Sequence, residues 1–280
     1  MFNLNGALRV LLGAVCPIVR HPARVFAVIV LPILIVAVGG SAVSFFGSAL
    51  LAARPEPYEV YSVVFRMLQH LPRILGYAFL YCIWIAFLTN RRVIPRSVSE
   101  AGRYWRTFLY FSAVAVVEWV LAYGMYFAVA QGHGIAYAEF FRRSEMIPYM
   151  FGISTLVSIV MFGPYLAGIG TFMADRLVPP SMGWRMGFRH PVFVIGLFLM
   201  LDLIPKALSH SLSLIVSDAV TEITSVGVYA QIAITVVIAA ALHVISGLIF
   251  CGGAFQIYGH LSKDAGFEGS LRAASLSDNT

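Results

Sequence analysis

Ionisable residues occur inside three long apolar stretches of this sequence. Glu118, Asp202 and His243 each lie near the middle of such a stretch, and one helical turn beyond the aspartate comes Lys206. Because hydrocarbon does not solvate charge, ionisable side chains within a membrane span are rare and mark candidate functional sites. Such a set could handle a proton or a small solute at mid-membrane, with the two acids alternately protonated and the lysine or the histidine as their partner.

A structural role is the alternative for the same residues. Asp202 and Lys206 share a helical face on either side of Pro205, where they could form an ion pair. Glu118 would then be neutral, or hydrogen-bonded to a neighbouring tyrosine, serine or histidine. Two acids, a lysine and a histidine are too few to define a transport path, so the sequence leaves both interpretations open.

A second candidate site consists of arginines at the ends of apolar stretches. Its members are Arg91, Arg106, Arg176 and Arg189. Asn90 precedes the first of these and Asp175 precedes the third. A guanidinium can bind phosphate with two parallel hydrogen bonds, so this cluster could recognise anionic lipid headgroups. Helix capping and the orientation of the chain in a membrane explain the same residues without a ligand.

The elements that carry these residues are predicted to be transmembrane helices. The chain is 60% hydrophobic and 11% charged, whereas a soluble domain has about 25% charged residues. A helix needs about 20 apolar residues to cross a bilayer. Six stretches qualify, at 25–50, 72–89, 108–131, 147–174, 191–217 and 229–258. The sequence therefore predicts an all-α polytopic bundle, a single transmembrane domain over residues 1–261, with a disordered cytoplasmic tail at 262–280.

An internal repeat divides the predicted bundle into three units. The segment from Phe87 to Pro95 matches the segment from Phe172 to Pro180 at a constant offset of 85 residues. An Arg-His-Pro triplet precedes the first span at Arg20 and the fifth span at Arg189. Glu118 and Asp202 are 84 residues apart, at equivalent positions of the repeat. Each unit is predicted to be a transmembrane hairpin preceded by a short amphipathic cytoplasmic helix, the first at residues 2–19.

Basic residues predict the orientation of the bundle. Most of the 19 lysines and arginines fall on the side of the membrane that holds the N-terminus, and cytoplasmic loops carry the excess of positive charge. Both termini are therefore predicted to be cytoplasmic. The net charge of +6 is explained by these loop residues, so it does not indicate nucleic acid as a partner.

Three hairpins with an Asn/Asp-Arg signature after the even-numbered spans resemble a group of bacterial proteins. These are the YciC-like inner-membrane proteins and the membrane domain of some glycerophosphodiester phosphodiesterases. The resemblance covers the chain up to about His260 and implies an inner-membrane location, with a link to lipid or envelope homeostasis. The 280 residues contain no soluble phosphodiesterase domain, so it implies no catalytic residues.

Small residues predict close packing between helices. Gly163, Gly168 and Gly170 lie on the fourth predicted span, and Gly40 belongs to a run of small residues on the first. Small side chains let helix backbones approach in lipid. The sequence leaves open whether they pack the bundle internally or form the face of a homo-oligomer.

The sequence leaves two candidate functions for this protein. The chain has no Walker loop, HExxH, GxSxG or Cys/His cluster, so we expect no enzyme, catalytic residue, metal site or cofactor. We favour a non-catalytic membrane protein that binds anionic lipids or another membrane protein, in an accessory or assembly role. The alternative is a small transporter or channel that uses Glu118, Asp202, Lys206 and His243.

Overall fold

We describe the fold from a computed structural model, which covers residues 4–52, 58–91, 94–140, 143–222 and 228–264. This part of the chain is helical and contains no strand. The helices are α1 (Leu4–Arg20), α2 (Pro22–Ala52), α3 (Tyr58–Leu88), α4 (Val98–Gly132), α5 (Tyr137–Phe140), a 3-10 turn (Ser144–Met146), α6 (Ile147–Ala174), α7 (Pro180–Gly187), α8 (Pro191–Glu222) and α9 (Val228–Asp264). Most of the predicted tail, residues 265–280, lies outside the described residues. Its first residues, 262–264, belong to α9.

Five stretches of the described chain are long and apolar enough to cross a membrane. They are Pro22–Val43, His70–Leu88, Val98–Gly132, Ile147–Ala174 and Ala233–Ser262. The fifth predicted span, 191–217, corresponds to α8, whose described apolar part is the shorter segment Val194–Pro205. The prediction of an all-helical, membrane-embedded protein is confirmed, with five candidate spans where the sequence predicts six.

The start of α4 differs from the prediction. The third span was expected at 108, after a separate short helix, but α4 is continuous from Val98. The Ser97 hydroxyl accepts the backbone N–H of Glu100 at 3.1 Å, and the Glu100 carboxylate accepts the backbone N–H of Arg96 at 2.8 Å. Ser97 is therefore the N-cap of α4, and the Glu100 carboxylate binds the N–H of the residue before it, whereas in a capping box it would bind the N–H of the N-cap itself. The short helices predicted before the other two units are present as α1 and α7.

Helices that are neighbours in sequence pack in pairs. α2 lies along α3, α4 along α6, and α8 along α9. α9 also contacts α1, α2, α3 and α6, so it runs through the middle of the assembly. Most of α6 is buried, whereas most of α4 faces outward.

α3 and α6 end in the same way. Asn90 and Asp175, the residues that follow these helices, have φ values of 53° and 56°. Asparagine and aspartate tolerate this left-handed conformation better than other non-glycine residues. After α3 the N–H of Arg91 donates to the carbonyl of Ala86 at 2.8 Å, the hydrogen bond of a Schellman motif. The repeat therefore has a structural counterpart at these two helix ends.

α7 fills a notch that Pro164 makes in α6. A proline has no N–H, so the carbonyl four residues earlier, that of Val160, loses its helical partner. The indole N–H of Trp184 in α7 donates to this carbonyl at 2.9 Å. Gly163 and Gly183 make the approach possible, since a Cβ on Gly183 would lie 1.9 Å from the Gly163 carbonyl oxygen. These glycines pack the bundle internally, which is one of the two roles that the sequence leaves open.

Candidate functional site

Polar side chains on α3 follow one face of an otherwise apolar helix. His70, Arg73, Tyr77 and Tyr81 recur at spacings of three and four residues and line one cavity. This spacing places side chains on a single helical face. α3 therefore has an apolar surface for packing and a polar and aromatic stripe that faces inward.

Four other helices complete the wall of this polar cavity, which has a volume of about 430 Å³. α4 contributes Glu118 and Trp119. α8 contributes Asp202, and α9 contributes His243. The remaining polar and aromatic lining residues are Tyr123, Tyr126, Ser154, Tyr165, Ser246 and Phe250. The volume lies within the usual range for small-molecule sites, about 300–1,000 Å³.

Hydroxyl groups of α6 hold both carboxyl groups. The Tyr165 hydroxyl donates to Glu118, and the Ser158 hydroxyl donates to the Asp202 carboxylate at 2.6 Å. Tyr165 and Ser158 are two helical turns apart on one face of α6. Both acids line the cavity together with Tyr81. The two carboxyl groups are therefore oriented by the same helix toward the same part of the cavity.

His243 is anchored through both its ring and its backbone. Its ring nitrogen Nδ1 lies 2.8 Å from the Ala239 carbonyl oxygen, so this nitrogen carries a proton when it donates. The Tyr77 hydroxyl donates to the His243 carbonyl at 2.9 Å. One turn along α9, the Ser246 hydroxyl donates to the Pro205 carbonyl at 3.1 Å. These contacts join α3, α8 and α9 beside the cavity.

His70 lies in an aromatic corner of the cavity. Its Nε2 shares a hydrogen bond with the Tyr123 hydroxyl. Its ring centroid is 5.1 Å from that of Tyr123 and 5.7 Å from that of Trp119. The Tyr126 hydroxyl lies 3.0 Å from the Ser154 hydroxyl. α3, α4 and α6 are thus linked by polar contacts around the cavity.

One end of the cavity is closed by a ring of aromatic side chains, which we name the aromatic layer. Each of the five helices contributes one residue, and the members are Tyr81, Phe111, Tyr165, Phe198 and Phe250. Ring centroids are 5.2 Å apart for Tyr81 and Phe111, 5.0 Å for Tyr165 and Phe250, and 4.8 Å for Phe198 and Phe250. At 1.5 Å per residue, the lining of α6 extends about 16 Å from Tyr165 back to Ser154. The layer lies between the cavity and the bundle end at which α3 and α6 finish.

A second cavity of about 400 Å³ adjoins the first. It lies between α2, α3 and α9 and shares His70, Arg73 and His243 with the polar cavity. Its other walls are Val36, Ala37, Gly40, Ser41, Val236, Ala239 and Ala240. The shared residues form the boundary between a polar and aromatic space and a space walled by small side chains.

The structure brings together three of the four predicted intramembrane residues. Glu118, Asp202 and His243 line one cavity although they lie on three helices. The side chain of Lys206 lies outside the described residues, so its predicted pairing with Asp202 is untested. The hydrogen bond from Tyr165 to Glu118 matches the structural alternative that the sequence allows. Glu118 also lines an open cavity, which is what the functional interpretation, a site for a proton or a small solute, requires.

The four predicted headgroup-binding arginines have different surroundings. Arg106 binds the carboxylate of Asp175, as does Arg103 at 2.8 Å. The hydrogen bond from Arg103, with a further contribution from Arg106, lowers the pKa of Asp175 below its ordinary value. Arg91 lies over the ring of Phe172, 5.9 Å from its centroid, and the remaining two, Arg176 and Arg189, are exposed. At least one predicted member is therefore engaged in an internal ion pair.

Sequence reasoning missed most of the aromatic and hydroxyl groups of the cavity. A signal for them was present, because polar and aromatic residues on α3 and α4 recur at helical spacing inside predicted spans. Tyr81, Tyr165 and Phe250 are also separated by 84 and 85 residues, the period of the repeat. Ser158 carried no such signal, since its role depends on the position of Asp202 on another helix.

Comparisons with known proteins return no relative. No protein-family model, curated protein or solved structure matches the chain. The resemblance to YciC-like proteins stays a prediction, and the function has to be argued from the cavity.

Proposed function

We propose that this integral membrane protein binds a small solute in the polar cavity and acts as a small transporter or channel. The observation that carries the proposal is the convergence of Glu118, Asp202 and His243 on one cavity of ligand-binding size. Residues from different helices converge in this way at the binding sites of membrane transporters. This is the alternative function that the sequence leaves open.

The open volume distinguishes a binding site from a purely structural polar cluster. Charges that only tie helices together are expected to be packed closely, because empty space beside a polar group forfeits contacts. Here the hydroxyl groups of Ser158 and Tyr165 orient the acids, and about 430 Å³ remains beside them. That space supports a ligand.

We further propose a membrane topology of six spans in three hairpins, with both termini in the cytoplasm of a bacterial inner membrane. The pairwise packing of α2 with α3, α4 with α6, and α8 with α9 supports this arrangement. The ion pairs at Asp175 and the exposed Arg176 and Arg189 lie at the end of the bundle assigned to the cytoplasm. In this orientation the cavity lies on the outer side of the aromatic layer.

A second candidate function is the binding of anionic lipid headgroups or of another membrane protein, with no catalysis. What supports it is the exposure of Arg176 and Arg189, which leaves their guanidinium groups accessible at one rim. The pairing of Arg106 with Asp175 weakens it. We therefore rank it below solute binding.

The proposal is tested by the thermal unfolding of the purified protein in lipid nanodiscs with a panel of amines, amino acids, carboxylates and sugars. We expect at least one solute to raise the Tm of the wild type by a few degrees, since a ligand at 100 times its Kd stabilises by about 2.7 kcal/mol. Glu118→Gln and Asp202→Asn should abolish the shift. Glu145→Gln, which alters an exposed acid outside the cavity, should retain it.

Two results together would contradict solute binding. One is a panel in which no solute shifts the wild-type Tm. The other is an uptake assay in proteoliposomes in which wild type, Glu118→Gln and Asp202→Asn behave like empty liposomes with every solute of the panel. Co-purification of one enriched anionic lipid, lost on replacing Arg176 and Arg189, would then favour the second candidate.

A further inference from the structure

The second cavity, between α2, α3 and α9, has an arginine at one end and small apolar side chains along the rest of its described wall. From this combination we infer that it binds an anionic phospholipid of the bilayer. The phosphate lies at Arg73, and the upper part of one acyl chain lies between α2 and α9. This site is separate from the solute site in the polar cavity, and the inference does not depend on that site.

Arg73 lies in the middle of α3, inside the candidate span His70–Leu88. Helix capping and the favourable charge at a helix end therefore do not account for it. Among the described residues, the ion pairs of arginine are those of Arg103, Arg106 and Arg143, so Arg73 forms none. An arginine within a span is costly unless it is paired. An anion from the membrane would supply the partner.

The second cavity opens toward lipid. Ser41 and Arg73 line it and are exposed at the surface of the bundle. Val38 and Val237, each adjacent in sequence to a lining residue, are exposed apolar side chains. All of the described lining residues fall inside the candidate spans of α2, α3 and α9. A molecule that enters the cavity from this side therefore comes from the bilayer.

The depth of the opening suits the phosphate of a lipid. From Pro22, where α2 begins, to Ser41 is about 28 Å of helix, close to the 30 Å thickness of the hydrocarbon core. Ser41 and Arg73 line the same cavity. When the start of α2 lies at one membrane interface, Arg73 therefore lies near the other. There its guanidinium can donate two parallel hydrogen bonds to a phosphate group.

The small side chains of the wall leave room for an acyl chain. A Cβ on Gly40 would meet nothing within 4 Å, whereas a Cβ on the preceding Gly39 would lie 2.8 Å from the Pro72 ring. The sequence predicts close packing at Gly40, and the structure has open space there instead. The cavity has a volume of about 400 Å³. A flexible apolar chain would fill it, and a small hydrophilic anion would leave its apolar part empty.

The experiment is native mass spectrometry of the full chain, purified in detergent, with dioleoyl phosphatidylglycerol or dioleoyl phosphatidylcholine added. We expect one phosphatidylglycerol to bind about tenfold more tightly than phosphatidylcholine, since one charge-assisted hydrogen bond contributes about that much. The choline group of phosphatidylcholine competes with the guanidinium for the phosphate. An excess of inorganic phosphate should not displace the bound lipid, because it lacks the chain.

Four variants test the two parts of the site. Arg73→Gln should remove the preference for the anionic lipid, and Gly40→Leu should weaken both lipids about tenfold by filling the space beside α2. Gly124→Leu is the matched control for the second, because Gly124 is exposed on α4 and a Cβ there also meets nothing within 4 Å. Arg176→Gln, at the opposite end of the bundle, should leave both affinities unchanged.

The inference is overturned if the wild type binds the two lipids equally, or if inorganic phosphate displaces the lipid. These comparisons need no variant, so they decide the question even where a substitution prevents folding. A preference that survives in Arg73→Gln and is lost in Arg176→Gln would also overturn it and would assign the lipid to the exposed arginines at the other rim. Solute binding in the polar cavity is measured separately, so either idea can fail without the other.

Discussion

Hydroxyl groups of α6 orient the two acids of the cavity. Ser158 and Tyr165 each donate one hydrogen bond to a carboxyl group. A hydroxyl donor fixes the orientation of a carboxylate without neutralising it. α6 therefore positions both acids at the wall of the cavity.

Asp175, at the end of the bundle, is held by two arginines. It lies between Arg103 and Arg106, and its pKa is lowered chiefly by the hydrogen bond from Arg103. A carboxyl group whose pKa is lower in the folded than in the unfolded state stabilises the fold above its unfolded pKa. That contribution is lost as the pH falls through the folded pKa.

We predict that Asp175→Asn lowers the free energy of unfolding at neutral pH by about 1 kcal/mol, the upper range for partly exposed ion pairs. Asparagine keeps the left-handed backbone conformation of this position, so the change removes charge and little else. The difference from wild type should shrink as the pH falls below about 4. Unfolding in detergent at pH 7 and pH 3 measures it, and an equal difference at both values would contradict the ion-pair explanation.

At the scale of helices, the contact between α6 and α7 depends on the absence of side chains. A Cβ on Gly163 would lie 2.1 Å from the Trp184 ring, and a Cβ on Gly187 would lie 2.0 Å from the Phe162 ring. The notch at Pro164 and the hydrogen bond from Trp184 to Val160 lie within this contact. α7 is thus a part of the packed bundle and more than a segment that rests on the membrane surface.

We predict that Gly183→Ala destabilises the protein by about 1–3 kcal/mol, the usual cost of overpacking a tight contact. The added methyl group would meet the α6 backbone, which cannot move aside as a flexible side chain could. Gly152→Ala is the matched control, because a Cβ there meets nothing within 4 Å. The control should be neutral, or stabilising by up to about 1 kcal/mol through helix propensity. Thermal unfolding of both variants checks the pair, and equal stability would show that α7 can shift at low cost.

The first and last residues of a helix can be predicted from the sequence where the length of the apolar stretch determines them. The structure gives α6 as Ile147–Ala174, the predicted range. Where local chemistry decides, the structure differs from the prediction, as at α4, which begins at Val98, before the predicted span, because the Ser97 hydroxyl caps it there. The length of an apolar stretch therefore does not predict where a capped helix begins.

The cavity was predictable only in part. Glu118, Asp202 and His243 stand out in a sequence because charge inside an apolar run is costly. Tyrosine and tryptophan are common near membrane interfaces, so the aromatic wall did not stand out by composition. Which hydroxyl donates to which acid depends on the rotation of α6 against α4 and α8, and one-dimensional periodicity does not determine that rotation.

At the scale of the whole molecule, the aromatic layer separates the cavity from the opposite end of the bundle. We predict that Phe250→Ala makes proteoliposomes more permeable to small solutes, because Phe250 contacts both Phe198 and Tyr165 and its loss would open the aromatic layer. Phe151→Ala is the control, since Phe151 is exposed on α6. Loss of the core ring should also cost about 3–5 kcal/mol of stability, so the variant is first checked for a monodisperse profile. Equal leak in both variants would show that the layer is not the barrier.

The depth of the cavity also determines where the membrane voltage acts. In the proposed orientation, water in the cavity would carry the electrical potential of the outer solution inward as far as the aromatic layer. From Tyr165 to the end of α6 at Ala174 is about 14 Å of helix, roughly half of the 30 Å hydrocarbon core. The whole potential would fall across that distance, so the local field would be about twice that in the surrounding lipid. A solute of one elementary charge that passes the layer would gain or lose about 2.3 kcal/mol per 100 mV within those few helical turns, while its binding in the cavity would be nearly independent of voltage.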